Sequence, residues 1–375
     1  MSEFPESDRL GDFPHPREAG SLIGQEEAER ALFESFMSRR LHHAWLLTGA
    51  QGIGKATLAY RFARFLQHYE SPERAEAFRA TGLGVPEDSG AAHQIMAQSH
   101  PGVLVLRRPY DEKTKKLRTV IPVDEVRRLT PFFGMSSGAG GYRICIVDSI
   151  DDMNASSANA LLKMLEEPPQ KGLFLLISHQ PGRLLPTIRS RCRTLALRPL
   201  STPLISEILE LSHASIKPGE AQAVAALAEG SAGRALTIAA GGGLALYQEM
   251  IALLKPLPKL DVPMLHTLAD RIGRATAAAA YDTFMELLHD WLQKLVRAGA
   301  GVPPGPEIVP GEHVLMQKLL GGASLEQWVQ VWEKIGHAIA RADTLNTDRK
   351  LVILNAFSWL EGAARASGAG ARMAR

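Results

Sequence analysis

The chain has 375 residues, 45% of them hydrophobic, and a formal net charge of +2 at pH 7. This length accommodates two or three domains of roughly 150 residues each, and so small a charge excludes a protein-wide basic field for nucleic acid. Two cysteines, Cys145 and Cys192, are too few for a disulfide framework or a four-cysteine zinc site and are typical of a reducing compartment. Because residues 1–20 lack the apolar core of a signal peptide and no apolar run could span a bilayer, we expect a cytoplasmic protein without membrane contact.

The first 200 residues alternate between strand-like and helix-like segments. Short apolar runs of the kind found in buried strands occur at residues 44–48, 103–106, 143–147 and 173–177. Helical periodicity covers 56–66 and 156–167, and Pro168 ends the second of these helices. This alternation predicts an α/β domain over 1–200, with a mainly parallel sheet covered by helices on both faces.

Beyond residue 200 the strand signals fade and helical patterns dominate. Three segments, 205–211, 219–228 and 234–239, predict a small helical domain over 201–254, and the Pro-containing linker 255–258 begins a second helical domain over 255–375. Apolar stripes with a period of 3.6 residues occupy 284–295 and 328–339, and a last one consists of Leu351, Leu354, Phe357 and Leu360. We expect a loose loop over 298–310, a helix cap at 346–348 and a disordered tail from Ala366.

The most specific pattern is GAQGIGKAT, residues 49–57, between the first predicted strand and a helix. A phosphate-binding loop has Gly, four residues, Gly, Lys and then Ser or Thr, and Gly49, Gly54 and Lys55 fit this pattern. The peptide N–H groups of such a loop surround phosphate oxygens, and the lysine adds a positive charge. We therefore expect Gly49, Gly52, Gly54 and Lys55 to bind the phosphates of ATP; the alternative is an ordinary glycine-rich turn.

The residue after the lysine is Ala56, where the pattern requires a hydroxyl that holds Mg²⁺. Thr57 is included among the candidate nucleotide ligands, but one step further round the helix it should point elsewhere. Asp148 ends the third predicted strand, where P-loop proteins place a second metal contact, unless it is only a solvated strand end. Ser149 then stands where motor ATPases of this kind have a glutamate that activates water, and Asp151 could replace that base only in a distorted loop. These substitutions predict inefficient hydrolysis of ATP.

Two arginines could act on phosphate groups. Arg189, Arg191 and Arg193 alternate and would face one side of an extended segment. A guanidinium of this set at a subunit edge could enter a neighbour's site, whereas the pattern alone favours a solvated basic edge. Arg234 begins a predicted helix and could reach the outer phosphate of a nucleotide, although by itself it resembles a surface residue. Cys192, beside the arginines, could have a lowered pKa.

Several stretches together resemble one family, the bacterial clamp-loader ATPases. They occur in the family's order along the chain: LIGQ at 22–25, HAWLL at 43–47, the loop at 49–55, NALLK and LEEPP within 159–169, SRC at 190–192, GS with GR within 230–234, and 346–355. The resemblance covers nearly the whole chain, and LEEPP and SRC are specific to the family. The family's motor subunit keeps a hydroxyl after the lysine and an acidic residue after the aspartate, and this chain has neither.

The resemblance implies an AAA+ module, a small helical lid and a helical collar that joins five subunits. It implies that Arg191 acts in trans as an arginine finger in the ATP site of a neighbouring subunit, and that Arg234 belongs to a second sensor of nucleotide. The implied partners are gamma/tau and delta subunits in a heteropentamer, which helps load the sliding clamp onto primed DNA during replication. Many relatives carry a four-cysteine zinc knuckle after the first helix, but residues 68–100 contain no cysteine, so we expect no zinc.

Two other functions stay open from the residues. A gamma/tau-like motor or a helicase would be an autonomous AAA+ ATPase that uses Thr57 and Asp151 in place of the missing groups and assembles with itself. A DNA-binding module without nucleotide is disfavoured by the near-neutral charge, and the basic stretch 113–118 is more typical of a solvated hairpin tip than of a DNA contact.

Overall fold

Parallel strands form the centre of the first of two structural units. A computed structural model describes residues 5–11, 13–134, 141–212, 216–217, 219–345 and 347–370. Unit 1 comprises Met1–Ile208 and Glu229–Arg234, and unit 2 comprises Leu209–Ala228 and Ala235–Arg375. The predicted division into three domains at residues 200 and 254 stays a prediction.

Unit 1 contains the strands of the described chain. Their bounds are β1 Ala44–Thr48, β2 Val103–Arg107, β3 Tyr110–Asp111, β4 Lys116–Leu117, β5 Arg143–Asp148, β6 Gly172–Ser178 and β7 Arg193–Ala196. Five of them form a parallel sheet in the order β2-β5-β6-β1-β7, and β3 and β4 pair as an antiparallel hairpin. This confirms the four predicted strands and the predicted parallel sheet, whereas the edge strand β7 has too few apolar residues to be recognised in the sequence.

Helices cover both faces of this sheet. Those that begin in unit 1 before residue 229 are α1 Glu26–Met37, α2 Lys55–Tyr69, α3 Pro72–Ala77, α4 Gly90–Met96, α5 Val123–Arg127, α6 Leu129–Gly134, α7 Ala155–Glu166, α8 Pro186–Arg189 and α9 Thr202–Leu211. Since side chains alternate along a strand, Trp45 of β1 belongs to the same core cluster as Phe62 of α2, and Leu46 belongs to a second cluster with Leu161 of α7. Burial on both faces explains why these strands read as continuous apolar runs.

The sheet register brings four strand ends to one edge. Thr48 of β1 lies opposite Ser178 of β6, and Asp148 of β5 lies opposite Ile177. On the other side of β5, Arg107 at the end of β2 lies opposite Asp148. In an open parallel sheet this carboxyl edge is where ligands bind, so the candidate residues at 49–57 and 148–151 are brought to the expected place.

Unit 2 is helical. The helices that lie in it wholly or in part after residue 209 are α10 Ala221–Leu227, α11 Ala232–Ala240, α12 Gly243–Leu254, α13 Val262–Ile272, α14 Ala278–Gly299, α15 Glu312–Gly322, α16 Leu325–Leu345 and α17 Arg349–Gly370. The predicted stripes on α14 and α16 are confirmed, because Phe284, Trp291 and Trp328 are buried. The helical C-terminal region of the predicted fold class is therefore confirmed together with the α/β domain.

One prediction about α17 was wrong, and one stays a prediction. Leu351 is 50% exposed, because the buried stripe of α17 runs through Ile353, Ala356, Phe357 and Leu360, and Leu351 is rotated away from that face. Helix α17 ends at Gly370, within the tail predicted to be disordered from Ala366. Residues 371–375 lie outside the described residues, so the disorder of the tail stays a prediction. The predicted cap residue Asn346 lies outside the described residues.

Candidate functional site: a phosphate loop at the carboxyl edge of the sheet

Residues 49–57 form a tight loop between β1 and the first turn of α2. Gly49, Gly52 and Gly54 have φ angles of +137°, +77° and +101°, which residues with a side chain rarely adopt. A Cβ atom at any of the three positions would also lie 2.6 Å or less from another atom. The three glycines are therefore required by the backbone path itself, as in a loop that surrounds a phosphate group.

Lys55 is buried, 3% exposed, with its ammonium group inside the loop. Its Nζ atom donates hydrogen bonds to the carbonyl oxygens of Gly49 at 2.7 Å and Ala50 at 2.5 Å. Burial lowers the pKa of Lys55 to about 8, while the carboxylates of Asp148 and Asp151 oppose that shift. The ammonium group keeps its charge at neutral pH and has a third N–H to offer to an anion.

The peptide N–H groups of the loop make this region suited to an anion. Within the part of the chain that the structure describes, no acceptor is recorded for the N–H groups of residues 50–57. Successive unpaired N–H groups at the start of a helix, next to an ammonium group, form a typical binding arrangement for phosphate. The residues present therefore fit a nucleotide phosphate.

The same loop is poorly suited to a metal ion. Ala56 packs against the core cluster of unit 1 with a methyl group where a hydroxyl would hold Mg²⁺. Thr57 lies at the next, half-buried position of α2. Among the described residues, no group of three or more His, Cys, Asp or Glu side chains could hold a metal ion. The expectation that the chain binds no zinc stays a prediction.

Asp148 ends β5, as the sequence predicts, and is half-buried. Burial, followed by the nearby Asp8 carboxylate, raises the pKa of Asp148 to about 7, although Lys55 opposes the shift. A serine or threonine at position 56 could donate a hydrogen bond to this carboxylate and a bound cation could neutralise it, but Ala56 offers neither. The high pKa follows from burial and from the neighbouring Asp8 carboxylate.

Asp151 is hydrogen-bonded to residues at and just after the end of β6. Its carboxylate accepts hydrogen bonds from the Ser178 hydroxyl at 2.9 Å and from the backbone N–H groups of His179 at 2.5 Å and Gln180 at 3.3 Å. Ser149, just after Asp148, is buried. Neither residue presents a free carboxylate next to the loop, so the described structure offers no acidic base at the position where motor ATPases have one.

His179 was missed in the sequence, although it directly follows a predicted strand. Burial and the positive charge of Lys55 lower the pKa of His179 to about 4, while Asp151 opposes the shift. The imidazole is therefore neutral at pH 7 and lies within electrostatic range of the loop. A strand-end position at the carboxyl edge was the one sequence signal for it.

Arg191 is displayed at the surface of unit 1, with 35% of its side chain exposed. Its guanidinium lies 2.8 Å from Glu166 Oε1 and donates to the Thr187 carbonyl at 2.9 Å, and neither partner belongs to the phosphate loop. The LEEPP and SRC stretches thus meet through this ion pair. The idea that Arg189, Arg191 and Arg193 alternate along an extended segment was wrong, because α8 contains Arg189 and β7 begins only at Arg193.

Cys192 does not have the lowered pKa that its arginine neighbours suggested. The thiol packs against the core beneath the sheet, and burial raises its pKa to about 12. Cys145 is fully buried in β5, as expected for a strand residue. Both thiols are therefore structural rather than reactive.

The segment Glu229–Arg234 belongs to unit 1 and contacts the phosphate loop. The Ser231 hydroxyl donates to the Gln51 carbonyl at 2.7 Å, and the N–H of Gly233 donates to the Gly52 carbonyl at 2.9 Å. Arg234, the residue that the sequence singled out, has its guanidinium 3.9 Å from Glu229. The structure thus places Ser231 and Gly233 against the loop, and a role of Arg234 toward nucleotide stays a prediction.

A buried ionic network beside the site was missed in the sequence. Arg107, at the end of β2, lies 2.8 Å from Asp8 and 2.6 Å from Glu6, while His15 lies 3.1 Å from Asp8 and Arg17 lies 2.8 Å from Glu6. These side chains are 0–19% exposed. In a polar, proline-rich N-terminal segment such charges look solvated, so no local pattern signals that they are buried.

The length and hydropathy of the helices bear on whether any of them could cross a membrane. Among the described residues, no single helix is long and apolar enough to cross a bilayer, and α11 with α12, bent by 79° at their junction, passes such a test only as a pair.

Comparisons with known proteins find similar subunits of DNA polymerase III. A family model described as DNA polymerase III, delta subunit, matches residues 24–201. The DNA polymerase III subunit delta′ of Pseudomonas aeruginosa is 33% identical over 265 residues, which cover 70% of this chain and 73% of that protein. DNA polymerase III subunit tau of Escherichia coli is 30% identical over 251 residues, 64% of this chain but only 36% of that longer protein.

The solved structures that match this chain include two proteins from Thermotoga maritima. A DNA polymerase III gamma subunit-related protein has a TM-score of 0.42 at 17% identity, covering 89% of this chain and 99% of that one. The RuvB Holliday junction branch migration motor has a TM-score of 0.41 at 17% identity, covering 86% and 90%. The sequence relatives are decisive: this chain belongs to the DNA polymerase III subunit delta′ family of clamp-loader subunits.

Proposed function

We propose that this protein is the delta′ subunit of a clamp loader, that its own nucleotide site is defective in hydrolysis, and that it supplies Arg191 to the ATP site of a neighbouring subunit. The observation that carries the proposal is Ala56, which has no oxygen to hold Mg²⁺, in a loop whose glycine backbone and buried Lys55 otherwise fit phosphate. A site of this kind can hold a nucleotide without completing the reaction.

At its own site the chain would bind phosphate through the N–H groups of 50–57 and through Lys55. Mg²⁺, if bound there, would supply positive charge that neutralises the charge developing during phosphoryl transfer. Among the described residues at this edge of the sheet, Asp148 could help hold that ion. We therefore expect nucleotide binding to be weak and to depend little on Mg²⁺.

Hydrolysis also needs a group that orients and deprotonates water. Ser149 has a hydroxyl, which is a poor base near neutral pH. The carboxylate of Asp151 already accepts three hydrogen bonds from the end of β6. Within the described residues the site thus has no positioned base, and Ala56 removes the hydroxyl that would hold Mg²⁺; each deficiency by itself would slow turnover.

Arg191 is suited to act on a neighbour. It is permanently charged, about one third exposed, and held in place by Glu166 and the Thr187 carbonyl. An exposed ion pair contributes only about 0–1 kcal/mol, so a phosphate of a partner's nucleotide could replace Glu166 at little cost. Held at the surface in this way, the guanidinium could act as an arginine finger.

The proposed assembly is a heteropentamer with gamma/tau and delta subunits, which loads the sliding clamp onto primed DNA in replication. The relatives named delta′, tau and gamma support membership in such a complex. We propose that the sliding clamp and primed DNA are partners of this protein through the assembled complex.

The decisive test is a loader reconstituted with native gamma/tau and delta subunits. Arg191→Ala should greatly reduce DNA-dependent ATP turnover at the adjacent subunit while the complex still assembles; comparable arginine fingers contribute on the order of 10³–10⁵ in rate. Arg191→Lys should restore little, because ammonium lacks the forked geometry. Arg189→Ala, two residues away, is the matched control and should leave turnover intact. Unchanged turnover in Arg191→Ala, with normal assembly, would refute the trans role.

The alternative is an active motor resembling gamma/tau, which the likeness to subunit tau of Escherichia coli favours. The purified chain distinguishes the two. We expect its steady-state ATP turnover to be near background with and without DNA. Brisk turnover that Lys55→Ala abolishes would instead establish an autonomous ATPase.

A further inference from the structure

Each carbonyl group from Gly49 to Gly54 accepts a hydrogen bond from the protein. Lys55 Nζ donates to those of Gly49 and Ala50, and the N–H of Leu58 donates to that of Gly54 at 2.9 Å. The carbonyl oxygens of residues 51–53 accept hydrogen bonds from outside the loop. The donors are Ser231 Oγ to Gln51 at 2.7 Å, Gly233 N to Gly52 at 2.9 Å, and Gln25 Nε2 to Ile53 at 3.1 Å. We call these three hydrogen bonds the carbonyl latch.

The carbonyl latch fixes the direction of the neighbouring N–H groups. In a trans peptide the C=O and the N–H of one plane point in opposite directions. Donors that hold the carbonyls of Gln51, Gly52 and Ile53 on one side therefore turn the N–H groups of the next residues, 52, 53 and 54, to the other side. These N–H groups are among those for which the described chain supplies no acceptor.

The contact is too close to be an incidental one. A Cβ atom on Gly233 would lie 2.9 Å from Gly52 Cα, and one on Gly52 would lie 2.4 Å from Ser231 Oγ. Ser231 and Gln25 are only 6% and 4% exposed, so water cannot readily replace their hydrogen bonds. The latch donors come from two distant parts of the sequence, and all of them belong to unit 1.

We propose that Ser231, Gly233 and Gln25 are positioning residues that preorganise the loop for a phosphate group. Resting on the proposed nucleotide site, this assigns the segment after Gly230 a role through its backbone and hydroxyl groups. A loop whose N–H groups already point inward loses less conformational entropy on binding an anion, and its affinity for phosphate rises accordingly. The latch thus supports anion binding even though the metal ligand is missing.

The experiment uses the full-length chain, with pyrophosphate and ADP as probes without Mg²⁺. Affinity is measured by calorimetry, and the mobility of the loop by ¹⁵N order parameters of the Gly52, Ile53 and Gly54 amides. Ser231→Ala should lower the order parameters of these amides and weaken both probes about three- to tenfold, the effect of one net hydrogen bond. Gly233→Ala should weaken them more, since its Cβ forces the two backbones apart.

Controls separate positioning from general stability. Ser231→Thr keeps the hydroxyl and should retain most of the affinity. Ser99→Ala removes a serine-to-carbonyl bond of the same kind at an exposed site and should change nothing. The melting temperature of Ser231→Ala should stay close to that of the parent, so that a loss of affinity reports on the loop.

The outcomes discriminate between the two proposals. If the parent binds both probes and Ser231→Ala binds them equally well, the positioning role is refuted while the nucleotide site stands. If the parent binds neither probe, the phosphate role of the loop fails together with this inference, and the trans role of Arg191 is unaffected. Reduced affinity with unchanged order parameters would also overturn preorganisation, since binding would then change without any change in loop mobility.

Discussion

The Ser178 hydroxyl donates a 2.9 Å hydrogen bond to Asp151 Oδ1, and this contact joins the turn after β5 to the end of β6. Two backbone N–H groups, from His179 and Gln180, donate to the same carboxylate. A carboxylate with three donors is a structural acceptor, and its removal would leave the buried Ser178 hydroxyl and the half-buried His179 N–H without an acceptor. The alternative in which Asp151 acts as a catalytic base would require these bonds to break.

We expect Asp151→Ala to lower the free energy of unfolding by about 1–3 kcal/mol, the usual cost of leaving a buried donor, here the Ser178 hydroxyl, unsatisfied. Chemical denaturation of the purified chain measures this. Asp124→Ala is the control, because that carboxylate is 79% exposed and pairs only with Arg127. If Asp151→Ala left stability intact but abolished a measurable ATP turnover, the base role would be correct after all.

Ala56→Ser should restore a hydroxyl where the phosphate loop lacks one. We expect ADP binding to become dependent on Mg²⁺, with an affinity gain of at least several-fold when the ion is added, because the new oxygen and Asp148 can share it. Calorimetry with and without Mg²⁺ measures the effect. Thr57→Ala is the matched control and should be neutral. If ADP binding by the parent already depended on Mg²⁺ and Thr57→Ala removed that dependence, Thr57 would be the residue that holds the ion.

The raised pKa of Asp148 makes stability depend on pH with a defined sign. Burial raises this pKa from 3.8 to about 7, so between these values the native state holds a proton that the unfolded state has released. The bound proton therefore makes its full contribution to the free energy of unfolding below about pH 4, and this contribution is lost as the pH rises to about 7. Asp148→Asn should remove this loss and be more stable than the parent at pH 8 by about 1–3 kcal/mol.

Denaturant unfolding at pH 5 and at pH 8 tests this prediction. The difference between Asp148→Asn and the parent should grow as the pH is raised from 5 to 8. Asp124→Asn, at an exposed position, controls for the general loss of a negative charge. Parallel stability curves for Asp148→Asn and the parent would mean that Asp148 titrates normally in the folded protein.

A further stability prediction concerns the buried carboxylate of Glu312 in unit 2. Its buried carboxylate accepts hydrogen bonds from Trp291 Nε1 at 3.0 Å, from the N–H groups of Ile308 and Val309 at 3.1 and 3.3 Å, and from the Tyr247 hydroxyl. In Glu312→Gln an NH₂ group, itself a donor, faces some of these donors, so the free energy of unfolding should fall by about 1–3 kcal/mol. Glu307→Gln, which changes an exposed carboxylate of the same loop, should cost less than half as much in thermal unfolding. Equal costs would show that burial does not amplify the effect.

Much of the fold could be predicted because its strands are buried on both faces. β1 and β6 consist wholly of buried residues, so they appear in the sequence as uninterrupted apolar runs. The edge strand β7 has mostly exposed residues and left no such signal. On α17 the period was correct but the phase was not, because Leu351 lies outside the stripe that the fold buries.

The sequence by itself determined the phosphate loop and its deficiency, since the glycine spacing, Lys55 and the missing hydroxyl at Ala56 are local properties of nine consecutive residues. Only the tertiary structure decided the fate of polar groups whose partners lie far away: Asp151 at the end of β6, Arg191 on Glu166, and Ser231 on Gln51, 180 positions apart. The physical reason is that a hydrogen bond or ion pair depends on distance in space, and no periodicity along the chain encodes which distant donor will meet which acceptor.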